Sequence, residues 1–109
     1  MKEIKNVEKI KKTIQEYVRL LEADGFPVEK VLLYGSYAKG KSKRDSDIDI
    51  CVVSPKFGKD TIKELQYLLK QTHDVDERIE PYPVSSKEYR ETASPLIYEI
   101  KKYGKEIKV

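Results

Sequence analysis

"LLYGSYAKGKSKRDSDIDICVV" (Leu32–Val53) decides the fold. An apolar run breaks at Gly35-Ser36, a basic loop follows, and two aspartates then alternate with isoleucines. The flanks read as strands: Lys30–Tyr34 is buried and ends at the glycine, and "DIDICVVS" forms a second strand closed by Ser54-Pro55. Carboxylates on a core strand are destabilising unless something positive meets them. Residues two apart on a strand point the same way, about 7 Å apart. Asp47 and Asp49 therefore share one face, while Ile48 and Ile50 share the other and enter the core. Paired carboxylates repel unless one is protonated or cations lie between them. Hard oxygen ligands in such a pair suit Mg²⁺ or Mn²⁺.

The turn before them supplies what such an ion would hold. Gly35 lets the backbone approach a ligand closely, and turn amides with the Ser36 hydroxyl can meet a phosphate oxygen. Lys39, Lys41, Lys43 and Arg44 follow and can neutralise further phosphate charge. Each element alone is ordinary: Asp-x-Asp recurs on exposed strands, Gly-Ser is a common turn, and a lysine-rich loop is usually just solvated. Their convergence within the 15 residues from Gly35 to Asp49 is what points to a metal–triphosphate site.

The remaining chain fits around these strands. Ile4, Val7, Ile10, Ile14, Val18 and Leu21 recur at three- and four-residue steps, predicting an amphipathic helix over 3–23 that Gly25 and Pro27 stop. Thr61 with Glu64 reads as a capping box for a second helix to about Gln71, with Ile62, Leu65, Leu68 and Leu69 inward. "VDERIEPYPV" alternates as a third strand. Pro81 and Pro83 make it an edge strand or end it. On that strand Asp76 and Glu80 would share a face. Ser85 with Glu88 is a second capping box, Ser94-Pro95 opens a further helix, Gly104 caps it, and "KEIKV" adds a short last strand. The order α-β-β-α-β-α-(α)-(β) predicts an α/β (α+β) chain: one domain over 1–109, with helices on a mixed sheet of three to five strands.

Composition narrows the function classes. Net charge is only +3, with 22 Lys and Arg against 19 Asp and Glu, so nucleic acid is permitted as a partner without being required. No recognised DNA- or RNA-binding motif is present, which leaves a basic nucleic-acid binder the least favoured reading. The single cysteine, Cys51, lies in an apolar run and excludes an internal disulfide. It reads as a small core residue in a protein of the reducing cytoplasm. Nothing approaches the ~20 apolar residues of a membrane span, and the charged start is unlike a signal peptide. His73, the one histidine, reads as a surface or capping residue. Of eight tyrosines, Tyr17, Tyr67, Tyr98 and Tyr103 sit near apolar helix faces as core-edge residues. Tyr34 and Tyr37 flank the Gly-Ser turn and would lie near a nucleotide. Tyr82 could accept a modification, but nothing in the sequence selects it.

"GSYAKGKSKRDSDID" resembles the Gly-Ser, ten residues, Asp-x-Asp signature of the DNA polymerase β-like nucleotidyltransferase superfamily, and within it the minimal nucleotidyltransferase (MNT) domains. The resemblance implies transfer of a nucleoside monophosphate, AMP from ATP above all, to a hydroxyl acceptor. Two Mg²⁺ or Mn²⁺ ions would be held by Asp47, Asp49 and a third carboxylate. Glu80 is the choice for that third ligand, with Asp76 second. Gly35, Ser36, Lys39 and Arg44 would bind the phosphates. It also implies a helical HEPN-type partner in a toxin–antitoxin pair, or self-association, since the chain has no second domain to hold an acceptor. The alternative is a protein of the same fold that acts by binding a partner, with weak or absent catalysis.

Overall fold

The computed structural model describes residues 2–35, 47–91 and 94–109, with side chains from residue 8 onward. Helix α1 (Lys2–Ala23) buries Ile10, Ile14, Tyr17, Val18 and Leu21 along one stripe. Its end is a Schellman motif: Gly25 takes φ +82°, its amide reaches the Glu22 carbonyl, and the Phe26 amide reaches that of Leu21. Strand β1 (Lys30–Tyr34) follows and matches its predicted bounds. Strand β2 (Ile48–Ser54) pairs with it antiparallel. Helix α2 (Thr61–Thr72) carries the chain back so that β3 (Ile79–Ser85) lies parallel to β2. Helices α3 (Ser86–Glu91) and α4 (Pro95–Tyr103) precede a two-residue strand β4 (Lys105–Glu106) on the free side of β1. The sheet order is β3-β2-β1-β4, a mixed four-stranded α+β sheet. No helix among the described residues is long and apolar enough to cross a membrane.

Each sheet face has its own cluster. Val31, Leu33, Ile48, Ile50, Val52 and Ile79 pack under α1 and α2. Leu32, Cys51, Val53 and Val84 pack under Ile97 and Ile100 of α4. Tyr17 ties the first layer together, its hydroxyl donating to the Leu68 carbonyl at 2.7 Å. Burial pushes the Cys51 thiol up to about 12, in keeping with a core residue.

Several local expectations are corrected. The N-cap of α2 is Asp60, one residue before Thr61: its carboxylate accepts from the Lys63 amide at 3.1 Å. Glu64 instead gathers the amides of Gly58, Lys59 and Asp60, and those hydrogen bonds hold its carboxyl below the usual range against the opposing pull of desolvation. On α2 the buried residues are Leu68 and Thr72, while Ile62 and Leu69 face solvent at 72% and 42% exposure. Tyr98 and Tyr103 are likewise exposed rather than core-edge. His73 is the exposed C-cap of α2, beside Glu77. Ser85 and Glu88 form their box, with the Glu88 amide donating to the Ser85 hydroxyl at 3.0 Å.

Strand β3 begins at Ile79, not Val75, because Asp76 folds a turn onto Arg78. Its carboxylate accepts the Arg78 amide at 2.9 Å and the guanidinium at 2.8 Å. Pro81 and Pro83 are accommodated because β3 is an edge strand. The Arg78 carbonyl accepts from the Ile48 amide of β2, so residues 78, 80, 82 and 84 turn their backbone groups inward. The prolines fall on the alternate, outward positions.

Candidate active site

The acidic row grows out of strand register. Asp49 opposes Tyr34 across the β1–β2 ladder and Glu80 across the β2–β3 ladder. Tyr34, Asp49 and Glu80 therefore form one transverse row on the α4 side of the sheet. Period-two alternation sends Ile48 and Ile50 to the opposite face, where both are fully buried. Asp47 stands at the mouth of β2, exposed, two residues before Asp49 on the same face.

The electrostatics agree with close approach. Partial burial raises the Asp49 carboxyl above its ordinary value, with the Asp47 charge adding to it. For Glu80 the Asp47 charge is the largest cause of an upward shift, followed by desolvation, the Asp49 charge and a hydrogen bond to Asp47. Three carboxyl groups thus feel one another at the open end of β2 and β3. Like charges gathered this way are relieved by a proton or a cation. The donors are all hard oxygens, the set that Mg²⁺ or Mn²⁺ accepts. Among the described residues no three such groups close into a metal nest by themselves. Mg²⁺ ordinarily retains several waters and substrate oxygens and takes only one or two carboxylates.

Gly35 closes the row on the β1 side. It adopts φ +73°, and a Cβ there would collide with the Asp49 carboxylate, whose Cγ would lie 3.2 Å away. The conformation calls for glycine, and a side chain there would also displace the Asp49 carboxylate. Tyr34 is half-buried beside it, and burial followed by the Asp49 charge pushes its phenol up to about 12.

The sequence-predicted residues divide accordingly. Asp47, Asp49, Glu80 and Gly35 are brought together. Asp76 is not: it lies in the turn before β3, and its carboxyl is held low, chiefly by the hydrogen bond from Arg78. Ser36, Tyr37, Lys39, Lys41, Lys43 and Arg44 lie outside the described residues. Tyr82 was not singled out for the site, yet it points to the same face as Glu80 and is 40% exposed. The available signal was the alternation in "IEPYP", where Tyr82 follows Glu80 by two.

Comparison with known proteins bears on this geometry. A family model described as a nucleotidyltransferase domain matches residues 7–108. A Methanocaldococcus jannaschii protein, named by inference a protein adenylyltransferase, is 37% identical over 49 residues. Those residues cover 45% of this chain and 48% of that one, about half the length of the relative. A crystal structure from Sulfolobus solfataricus, named by inference a nucleotidyltransferase, has a TM-score of 0.63 at 23% identity, covering 83% of this chain and 79% of that one. A toxin–antitoxin structure with AMP-PNP has a TM-score of 0.62 at 25% identity, covering 90% and 72%. The family model spans nearly the whole chain, and the fold agrees with it: the chain belongs to the nucleotidyltransferase domain family.

Proposed function

We propose that the chain transfers a nucleoside monophosphate, AMP from ATP, to a hydroxyl acceptor. The observation that carries this is the register that sets Asp49 beside Glu80, with Asp47 at the mouth of the same strand. Asp47, Asp49 and Glu80 would hold two divalent ions, Mg²⁺ or Mn²⁺. Such ions, when bound, neutralise the charge gathering on the α-phosphate and the leaving pyrophosphate. The chain's own part is positional. The Gly35 turn lets the backbone approach the phosphates, assisted by Ser36, Lys39 and Arg44. Asp49 lies between donor and acceptor. Glu80, on the outer strand, faces the acceptor side and can take the proton of its hydroxyl. The partner reading is an antitoxin-like role beside a helical HEPN-type protein, supported by the toxin–antitoxin neighbour solved with AMP-PNP.

A second reading is a partner-binding protein of the same fold with weak catalysis, supported by the toxin–antitoxin neighbour. Calorimetric titration with ATP, with and without Mg²⁺, separates the two. Metal-dependent binding that Asp47→Asn/Asp49→Asn abolishes supports transfer. A folded wild type that binds no triphosphate leaves only the second reading.

A further inference from the structure

From the placement of Tyr82 we infer that the chain is its own acceptor: a nucleoside monophosphate is transferred from the triphosphate to the Tyr82 hydroxyl within the same molecule. The inference rests on the transfer reading above and adds to it a named acceptor.

Tyr82 is selected by comparison with the other described tyrosines. The Tyr17 and Tyr67 hydroxyls are committed to the Leu68 carbonyl and the Asp24 carboxylate, both at 2.7 Å. Tyr34 belongs to the acidic row but is half-buried under α4. Tyr89 lies under the ammonium groups of Lys30 and Lys101. Tyr98 and Tyr103 are exposed, but on helix α4 and shared by Lys102. Among the described tyrosines, Tyr82 alone is both exposed and on the strand face that carries Glu80.

Its position suits an acceptor. The phosphate turn at Gly35 lies on the β1 side of Asp49, so the opposite, β3 side is where an acceptor hydroxyl would enter. Tyr82 is on β3, about 7 Å from Glu80 along the strand. Tyr82 stands opposite Cys51, one same-face step beyond the Asp49–Glu80 pair, and a phenol is long enough to lean back along the strand toward a phosphoryl group held above the row. Pro81 and Pro83 fix φ on both sides and stiffen the strand that presents it.

The step balances. The Tyr82 oxygen bonds to the α-phosphorus as the bond from that phosphorus to the bridging oxygen breaks. Pyrophosphate leaves with the electron pair, and the phenolic proton passes to Glu80. The product is a phosphodiester between Tyr82 and the nucleoside.

The test incubates the full chain with Mg²⁺ and, in parallel, ATP, GTP, CTP or UTP, followed by intact mass and peptide mapping. One nucleoside monophosphate at Tyr82 is expected. The adduct is lost in Tyr82→Phe, which keeps the wild-type melting temperature, and in Asp49→Asn, which melts no lower than wild type, and is retained in Tyr98→Phe. Labelling per molecule should not slow on tenfold dilution. A chain that binds triphosphate yet gains no adduct overturns the inference. So does an adduct elsewhere, one that survives Tyr82→Phe, or one whose rate falls with dilution. Each of these leaves the transfer reading standing, whereas a chain that binds no triphosphate overturns both.

Discussion

The two faces of β2 contrast sharply. One face presents Ile48, Ile50 and Val52, all fully buried beneath α1 and α2. The other begins with Asp49 and turns apolar only at Cys51 and Val53, where α4 covers it. A single strand thus serves a closed core and an open acidic end. What decides the residue type is where the covering helix stops. Beyond that limit carboxylates keep enough water to be tolerated, and enough burial to be raised.

That contrast can be broken most forcefully from the closed side. Ile50→Ala should destabilise the fold by about 2–5 kcal/mol, read as a shifted urea midpoint. Asp49→Asn, one residue away, should not lower stability and should weaken Mg²⁺-dependent ATP binding by about a hundredfold or more, since even outer-shell changes at metal sites cost 10–100-fold. A comparable loss of stability in both variants would dissolve the distinction. Gly35→Ala sharpens it from the neighbouring strand. Strain at φ +73° and the collision with Asp49 should cost about 1–3 kcal/mol in chemical denaturation, and ATP binding should fall with it.

Proton linkage gives a smaller effect with a definite sign. Asp49 and Glu80 are both raised in the folded chain, so the folded state binds these protons more readily than the unfolded state. Their contribution to stability is therefore present at low pH and is lost as pH rises from the unfolded carboxylate value through the raised one. Asp49→Asn should melt above wild type at pH 8, with the gap closing toward pH 4. Adding Mg²⁺ at pH 8 should raise the wild-type melting temperature and leave Asp49→Asn/Glu80→Gln unmoved. The smallest effect belongs to α2. Ile62→Lys should change stability by less than about 0.5 kcal/mol, because that side chain is 72% exposed.

Strands β1 and β2 and the shared face of Asp47 and Asp49 were legible because period-two alternation needs only a few residues, whereas alternation placed Asp76 and Glu80 alike and only the family resemblance chose Glu80. The bounds of β1, the split between α3 and α4, and the opposed faces of Asp49 and Ile50 follow from such short patterns. The inward face of α2 was not legible. Ile62 and Leu69 fit a helical stripe as well as Leu68 does, and only the angle at which α2 crosses the sheet decides between them. The start of β3 was hidden by a competing local bond. Asp76 alternates with Glu80 in sequence, but its carboxylate prefers the Arg78 amide and guanidinium, and that turn delays the strand. The cap of α2 shows the same competition: Asp60 precedes Thr61, and its carboxylate, accepting from the Lys63 amide, takes the position.

Pro81 and Pro83 have a consequence at the scale of assembly. The outer margin of β3 lacks two of the donors that an incoming strand would need, and the opposite margin is guarded by a strand of two residues. Neither border offers a template for continuing the sheet into a second molecule. Among the described residues, strand addition at either margin is thus disfavoured, and the faces and helices are left as the surfaces on which a partner can dock.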